Sequence, residues 1–320
     1  MRYKEIKTAA GSLHIANAAI GSAVKMGGLS KNELFELFDM YIASGGNCID
    51  TARAYGAGQA EALIGEYLQI RKNRDKLLIS TKCCHPAGSG ASRLTQRDME
   101  EDLDASMRAL GIDYVDIYWL HKDDESIPVE SIMDSVNALL RTGKIGAIGC
   151  SNWHTGRIAA ANRYARLTGQ RGFDLSQIQW SLAESEEKLF QQFSAVLMDD
   201  VSYGWYYKNE MPVFAFSPQA QGFFSKAATG GVESLSEMLQ TCYANPNNLI
   251  RLERVKEIAA REHVPVSVPV LAYLMNNKLP CVPVFGATSR QMLQETLLAA
   301  DFAMSAEEAD ALFQIQGSSE

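Results

Sequence analysis

The sequence predicts a parallel α/β fold, a (β/α)8 barrel, on three observations. Short apolar segments alternate with longer amphipathic segments eight times, which favours parallel strands linked by helices. After an N-terminal hairpin, no run of consecutive strands interrupts this alternation. The main alternative, a doubly wound dinucleotide-binding sheet, would need a G-x-G-x-x-G after its first strand, and the glycines there lack that spacing. Eight units in series are the number that closes a barrel.

The predicted elements follow one another in a regular order. Two alternating segments, at 3–7 and 13–15, predict a β-hairpin that plugs the base of the barrel. Ser30 is a typical helix-capping residue, and turn residues separate each later helix from the next strand. The barrel strands are predicted at 18–21, 48–50, 77–81, 115–120, 147–150, 175–178, 213–216 and 281–285. The first helix is predicted from its cap Ser30 to the turn at Gly45 and Gly46. The later helices are predicted at 59–70, 95–110, 129–141, 155–167, 184–193, 249–262 and 290–300, with an extra C-terminal helix at 305–315.

We expect a single domain over residues 1–320, because no linker-like segment divides the eight units. One segment departs from the compact pattern. Residues 203–248 are rich in Gly, Ser, Tyr and Phe, and we expect them to form a long insertion of the seventh unit that covers the site.

Composition limits the classes of function. A 47% hydrophobic chain of 320 residues suits a soluble globular protein, and 30 basic against 38 acidic residues give a net charge of −8. Without a basic cluster, nucleic acid is not an expected partner. The sequence shows no signal peptide and no apolar run of about 20 residues, so we expect a cytoplasmic protein, monomeric or homo-oligomeric, without a membrane partner. No residue cluster has metal-ligand spacing, and the role of the adjacent pair Cys83 and Cys84 stays open.

Polar residues at the ends of three neighbouring strands are the candidates for chemistry. Asp50, Lys82 and His121 end the second, third and fourth barrel strands, and Tyr55 follows in the loop after Asp50. Singly, each is ordinary at the point where a strand reaches solvent. Together, the carboxylate would hold the ammonium, and the ammonium would favour the phenolate, so that Tyr55 could exchange a proton near neutral pH. His121 could orient a bound carbonyl oxygen.

This arrangement resembles the catalytic tetrad of the aldo-keto reductases. The matching features are Asp50-x4-Tyr55, the strand-end Lys82, and His121 after an Asp-Ile-Tyr-Trp-Leu strand. The resemblance extends from the hairpin to the final helix. It implies hydride transfer from NAD(P)H to an aldehyde or ketone, with Tyr55 as general acid and the cofactor extended across the C-terminal face of the barrel.

The resemblance also implies where the cofactor binds. A G-x-S-N motif ending at Asn152, together with Gln179, would hold the nicotinamide amide. Phe216 takes the place of the tyrosine that usually stacks on the nicotinamide ring, and stacking needs only the ring face. The predicted cofactor contacts are Gly21, Ser22, Asp50, Ser151, Asn152, Gln179, Phe216, Ser217, Gln219, Gly222, Gly286, Thr288, Ser289, Arg290 and Glu295.

The last five of these contacts favour NADP(H), with NAD(H) as the alternative. They resemble the family's site for the adenosine 2′-phosphate, and a helix N-terminus with hydroxyls and an arginine is also a plausible anion site on physical grounds. Met292 and Thr296 depart from the family pattern in the same helix. A single arginine provides few hydrogen-bond donors for the 2′-phosphate, so NAD(H) stays the alternative.

The predicted substrate is a small carbonyl compound. Its pocket is expected to be lined by Met26, Tyr55, His121, Trp153 and Trp180. Aromatic walls of this kind suit either a sugar ring or an apolar carbonyl compound.

Two other classes of function stay open. One is a cofactor-binding regulatory subunit on the same scaffold, similar to the potassium-channel β subunits. The other is a barrel hydrolase, which would need a second carboxylate near Asp50, and Asp123 or Asp124 could be nominated for it.

Overall fold

The eight predicted barrel strands pair side by side and close into a parallel barrel in the computed structural model of the chain. The structure describes residues 1–22, 29–86, 88, 90–191 and 194–314. Two antiparallel strands form the predicted N-terminal hairpin. The strands are β1 Tyr3–Thr8, β2 Gly11–Ala16, β3 Ala19–Gly21, β4 Cys48–Asp50, β5 Leu78–Cys83, β6 Val115–Leu120, β7 Ile145–Ser151, β8 Leu175–Gln179, β9 Val213–Phe216 and β10 Cys281–Phe285.

Helices follow the barrel strands, and several have identifiable end signals. Ser30 and Glu33 form a capping box at the first helix, and Ser289 caps the helix after the last barrel strand. The helices are α1 Lys31–Ala43, α2 Gln59–Arg71, α3 Gln96–Leu110, α4 Val129–Leu140, α5 Thr155–Leu167, α6 Glu187–Gln191, α7 Asp200–Lys208, α8 Phe223–Gly230, α9 Glu237–Tyr243, α10 Pro246–Glu262, α11 Ser267–Met275, α12 Arg290–Asp301 and α13 Ala306–Phe313.

The hairpin plugs the base of the barrel, as predicted. Ile6 and Ile15 of β1 and β2 are buried in the same apolar cluster as barrel-interior residues such as Phe214. Lys4 donates a hydrogen bond of 2.7 Å to the carbonyl oxygen of Cys281, the first residue of β10. Because this contact lies at the N-terminal end of the strands, the opposite rim is left open for a site.

The insertion predicted at 203–248 has different boundaries in the structure. Residues 200–208 form α7, which precedes β9, so the insertion that follows β9 begins only at Ser217. The helix α11 was not predicted. All nine of its residues are buried, and a helix covered on every side has no amphipathic pattern to reveal it.

Within the described part of the chain, no helix is both long and apolar enough to cross a bilayer. The final helix α13 confirms the prediction of an extra C-terminal helix. It is fastened to α10 by the guanidinium of Arg251, which donates a hydrogen bond of 3.0 Å to the carbonyl oxygen of Phe313.

Candidate active site

Asp50 and Lys82 form an ion pair inside the C-terminal rim of the barrel. Their strands are neighbours, with Asp50 opposite Ser80 in the register of β4 and β5. Lys82 Nζ lies 2.5 Å from Asp50 Oδ2 and 2.7 Å from the carbonyl oxygen of Thr51. Both charged side chains are almost fully buried. Charges at this depth are stable only when they are paired, so each partner holds the other in place.

The second oxygen of the Asp50 carboxylate is held by two residues that the sequence analysis missed. Ser80 Oγ donates to Asp50 Oδ1 at 2.7 Å, and Gln177 Nε2 reaches it from β8 at 3.2 Å. The indole of Trp119 donates to Ser80 Oγ at 2.7 Å. Strand periodicity could have indicated Ser80, since residues two apart point to the same side and Ser80 precedes Lys82 by two. The carboxylate is therefore held directly by donors from β5 and β8 and, through Trp119, indirectly from β6.

Tyr55 lies above this ion pair, in the turn that follows β4. Lys82 Nζ is 5.0 Å from the centre of the Tyr55 ring, whose edge also meets the His121 ring at a centroid distance of 5.8 Å. Burial raises the pKa of Tyr55 above its ordinary value, although Lys82 opposes the shift. Lys82 favours the phenolate, but the cost of desolvation is larger, so the hydroxyl keeps its proton at neutral pH. A tyrosine that stays protonated is suited to donating a proton.

Lys82 keeps its charge in this environment. Burial alone would lower the pKa of Lys82, but the attraction of the Asp50 carboxylate and the hydrogen bonds with Asp50 and Tyr55 outweigh it, and the pKa is raised overall. The ammonium is therefore a fixed positive charge beneath the tyrosine ring at all ordinary pH values.

His121 completes the group at the end of β6. Its backbone N–H donates to the carbonyl oxygen of Cys83 at 2.9 Å, which ties the neighbouring strand ends together. Burial, then the nearby charges of Lys82, His85 and Lys122, lower the pKa of His121 well below its ordinary value. The ring is therefore neutral at physiological pH. Among the described residues, its Nδ1 atom is buried and has no hydrogen-bond partner.

His85 was not predicted and lies beside His121. The two imidazole rings meet edge to face at 4.9 Å, and His85 is exposed, with its Nδ1 atom 3.1 Å from the carbonyl oxygen of Pro86. The only sequence signal for it was its position three residues after Lys82. The site therefore carries two histidines on its open side.

The neutral state of His121 predicts an acid sensitivity of the fold. Below its ordinary pKa of 6.5 a histidine in the unfolded chain gains a proton, whereas the buried His121 does not, so stability should fall as the pH falls. We expect the His121 contribution to reach at most about 1.4 kcal/mol per pH unit. Urea denaturation of the wild type and of His121→Gln between pH 7 and pH 5 measures it. Parallel losses in the two proteins would contradict this expectation.

The residues predicted to hold the nicotinamide amide lie at the same rim. Asn152 has a left-handed backbone (φ 59°), and its amide donates to the His121 carbonyl oxygen at 3.3 Å and to Ser151 Oγ at 3.0 Å. Its Oδ1 atom accepts from the Val196 N–H at 3.2 Å. Gln179 Nε2 lies 3.4 Å from Ser185 Oγ. These side chains thus link neighbouring rim loops, and their contact with a nicotinamide stays a prediction.

The loop after β9 is tightly wound where the cofactor was predicted to pass. Ser217, Ala220, Gln221 and Gly222 all have positive φ values between 48° and 81°. Left-handed residues turn successive backbone N–H groups toward one side, which is a common way to build an anion-binding concavity. Half-buried Phe216 and residue Gln219 frame this loop, so the backbone is compatible with the predicted passage of a pyrophosphate.

Two further predicted contacts lie at the end of β3. Ser22 Oγ donates to Thr51 Oγ1 at 2.8 Å, and the Ser22 N–H donates to the Asp50 carbonyl oxygen. A Cβ atom on Gly21 would lie 3.1 Å from Val284 Cγ1, so little space remains between β3 and β10. Both residues therefore border the rim beside Asp50.

The predicted 2′-phosphate site combines a helix N-terminus with an exposed ion pair. Ser289 caps α12 by accepting from the Met292 N–H, and Thr288 Oγ1 lies 3.2 Å from Met292 Sδ. Arg290 pairs with Glu36 of α1 at 2.8 Å, with both side chains exposed. Glu295 accepts a hydrogen bond of 2.5 Å from Ser267 Oγ. A surface pair of this kind is weak, so Arg290 can exchange Glu36 for another anion.

The two tryptophans of the predicted substrate pocket are packed among other side chains, and their contact with a substrate stays a prediction. Trp153 has no exposed surface, and its ring packs against Phe173 at 5.1 Å and beneath the Arg157 guanidinium. Trp180 is 3% exposed and packs between Tyr203 and Tyr273. Both indoles are therefore enclosed by side chains from the surrounding helices and loops. Met26 lies outside the described residues.

The two carboxylates nominated for a hydrolase, Asp123 and Asp124, are both engaged in other contacts. Asp123 accepts two hydrogen bonds of 2.9 Å from Arg157, and Asp124 accepts from Ser126. Both carboxylates therefore stabilise the loop after β6. A bidentate arginine pair holds the Asp123 carboxylate in a fixed position.

The closed eight-stranded barrel carries a buried ion pair, a protonated tyrosine and a neutral histidine at its C-terminal rim, which is where the active sites of barrel enzymes lie. Comparisons with known proteins make the class specific. The sequence profile of the aldo/keto reductase family matches residues 15–316. The chain belongs to the aldo/keto reductase family and is an oxidoreductase.

Individual relatives agree with this membership. The chain is 28% identical to the aldo-keto reductase ausK of Emericella nidulans, over 97% of this chain and 80% of that protein. It is 34% identical to a putative aryl-alcohol dehydrogenase of Saccharomyces cerevisiae, over 53% of this chain and 48% of that protein. The chain is 27% identical to norsolorinic acid reductase B of Aspergillus parasiticus, over 97% of this chain and 83% of that protein.

A solved structure agrees on the fold. The thermostable aldo-keto reductase Tm1743, crystallised with the inhibitor epalrestat, superposes with a TM-score of 0.73 over 98% of this chain and 99% of that one, at 24% identity. Membership of the aldo/keto reductase family, whose members use nicotinamide cofactors and reduce carbonyl compounds, gives this chain the same general chemistry.

Proposed function

We propose that this protein reduces an aldehyde or ketone and that Tyr55 is the general acid of the reaction. The observation that carries the proposal is the buried Lys82 ammonium, held by Asp50 at 2.5 Å and lying 5.0 Å from the centre of the Tyr55 ring. The comparisons support the reductase class. The role of each residue follows from charge and burial.

Each member of the group has a distinct role. Tyr55 donates its proton to the carbonyl oxygen as negative charge develops there. Lys82 stabilises the phenolate that remains, and Asp50 keeps Lys82 charged and in place. Neutral His121 can offer an N–H to the same oxygen without a charge of its own. Because Asp50 and Lys82 are buried, the stabilising field acts at low dielectric and is little screened.

The chain's own residues suit a reduced nicotinamide cofactor, which supplies the hydride when it is bound. Ser151, Asn152 and Gln179 would hold its amide, and Phe216 would stack on its ring. The wound loop through Gln219 and Gly222 would cradle the pyrophosphate, and Ser289 and Arg290 at the start of α12 would bind a 2′-phosphate. The hydroxyls and the arginine at the α12 terminus support NADP(H) over NAD(H).

Aromatic carbonyl compounds are the first substrate class to test. Relatives are named for aryl-alcohol oxidation and for norsolorinic acid reduction. The aromatic side chains of the predicted pocket suit a sugar ring and an apolar carbonyl compound equally, so the names of the relatives decide which class is tested first. The regulatory-subunit interpretation has no support from the compared proteins, since those described above are named reductases or dehydrogenases.

Fluorescence titration with NADPH and NADH, followed by a screen of aldehydes and ketones, tests the proposed function. We expect saturable binding and loss of absorbance at the reduced-nicotinamide band with at least one aromatic aldehyde. Binding of neither cofactor, or a complete lack of turnover across a broad carbonyl panel, would overturn the proposal.

The assignment of the 2′-phosphate site makes a separate prediction. Arg290→Gln should weaken NADPH binding about 2- to 10-fold and leave NADH binding unchanged, because an exposed arginine contributes modestly to phosphate binding. Glu36→Gln is the matched control, since it removes the competing partner of Arg290 and should not weaken NADPH binding. Equal effects of Arg290→Gln on both cofactors would place the 2′-phosphate elsewhere.

A further inference from the structure

A fully buried glutamate lies behind the turn that carries Tyr55. Glu61, in the first turn of α2, has no exposed side-chain surface. Its two oxygens have different partners: Arg53 Nη1 donates to Oε2 at 2.9 Å, and Thr81 Oγ1 donates to Oε1 at 2.7 Å. A buried carboxylate needs such partners, so their placement on two different segments is a structural link between those segments.

The first segment is the Tyr55 turn itself. Arg53 lies two residues before Tyr55, and its Nη2 atom donates to the Ala57 carbonyl oxygen at 3.4 Å. Residues Gly56, Ala57 and Gly58 are all left-handed, with φ values of 58°, 53° and 92°. For Ala57 this conformation is unfavourable and persists only if neighbouring contacts impose it.

The Arg53 guanidinium supplies such contacts. A Cβ atom on Gly58 would lie 1.9 Å from Arg53 Nη1, so the guanidinium is packed directly against the turn backbone. The side chain of Arg53 therefore fills the inside of the turn whose outer end presents Tyr55. Glu61 fixes the guanidinium from behind.

The second segment is the strand that ends in Lys82. Thr81 precedes Lys82 in β5 and is fully buried, with its side chain on the opposite side of the strand. The Arg53 N–H also donates to the Lys82 carbonyl oxygen at 3.1 Å. Glu61 and Arg53 thus connect the Tyr55 turn to the Lys82 strand twice, once through side chains and once through backbone.

We infer that the Arg53–Glu61–Thr81 network is a positioning device that holds the Tyr55 hydroxyl over the Lys82 ammonium, with Glu61 as its central positioning residue. This inference rests on the proposed function, since it assigns Glu61 an effect on the proton-donating step. Glu61 touches neither Tyr55 nor Lys82 through its own atoms in the contacts above, so it acts through Arg53 and Thr81. Loosening it should misplace the hydroxyl and leave the cofactor loops intact.

The variant Glu61→Gln tests the inference because it keeps the side-chain shape and removes the charge that holds Arg53. Its kcat should fall about 10- to 100-fold, since a misplacement near 1 Å can cost about 10²-fold. NADPH affinity should stay within about threefold of wild type, the pattern of an interaction realised in the transition state. By hydrogen exchange, peptides covering residues 53–61 should exchange faster than in the wild type.

Two further variants keep the test decisive. Thr81→Val removes one donor to Glu61, leaves the ion pair, and should lower kcat in the same direction by a smaller factor. Asp116→Asn is the matched control, because Asp116 pairs with Arg74 at 2.7 Å with similar arginine exposure but at the opposite end of the strands. It should lower the melting temperature without lowering kcat.

Coupling to Tyr55 separates this inference from the proposed function. In a Tyr55→Phe background, Glu61→Gln should cause no further loss of rate. If the two residues acted independently, the fold losses of the two single variants would multiply. If Glu61→Gln keeps wild-type kcat, leaves exchange over 53–61 unchanged or lowers kcat no more than Asp116→Asn, the inference is overturned. If Tyr55→Phe alone keeps wild-type turnover, the proposed role of Tyr55 fails, and the exchange measurement still decides whether Glu61 holds the turn.

Discussion

Replacement of Tyr55 by phenylalanine should lower the rate of carbonyl reduction by about 10²- to 10⁴-fold, the usual contribution of a positioned general acid. The variant removes only the hydroxyl and keeps the ring that meets His121 and Lys82. Cofactor affinity and the melting temperature should therefore change little. Single-turnover loss of reduced-nicotinamide absorbance measures the chemical step directly.

The pH dependence of the same step provides a second measurement. Because the pKa of Tyr55 is raised above its ordinary value of 10.0, the hydroxyl stays protonated through neutral and mildly alkaline pH. The rate of reduction should be flat across that range and fall only where the tyrosine loses its proton. In Tyr55→Phe, the remaining rate should not show this decrease at alkaline pH. A wild-type rate that declines already between pH 7 and pH 8 would contradict the assignment.

Replacement of Lys82 by methionine should produce the largest loss of stability among single substitutions at the site. It leaves the Asp50 carboxylate buried with only the neutral donors Ser80 and Gln177. Breaking a buried ion pair on one side typically costs about 3–5 kcal/mol, because the remaining charge is uncompensated. The midpoint of urea denaturation should fall accordingly, and turnover should be lost with it.

A double variant separates the two consequences. Asp50→Asn combined with Lys82→Met removes both charges and should recover most of the stability, since a buried pair contributes little net stability relative to neutral residues of similar size. Turnover should stay lost, because no ammonium remains beside Tyr55. If Lys82→Met were as stable as the wild type, the pair would be less buried in solution than its 1% and 4% exposed side chains indicate.

The prediction of the fold from sequence succeeded where local pattern and burial agree. Strand β4 was predicted with its observed bounds, and strand β9 likewise, because short apolar segments between turn residues have few other interpretations. The prediction failed where burial hides the pattern, as in α11, or where a helix lies before rather than after a strand, as in α7.

The candidate site was predicted in part for a topological reason. Parallel strands end at one rim, so strand-end residues Asp50, Lys82 and His121 had to be near one another once the barrel was recognised. In the structure Lys82 Nζ lies 2.5 Å from Asp50 Oδ2 and 5.0 Å from the centre of the Tyr55 ring. Most of the cofactor residues depended on resemblance instead, and the pocket residues on their expected position in the loops above the four polar residues.

The sequence by itself determined the barrel, its plugged base and the four polar residues at the rim, because these depend on periodicity and on chain order. Only the tertiary structure decided how the site is supported. Gln177 reaches Asp50 across 127 residues of chain, and Glu61 joins the Tyr55 turn to β5 from behind. It also decided that Tyr55 stays protonated, since a pKa depends on burial and on every charge nearby, and neither is a property of local sequence.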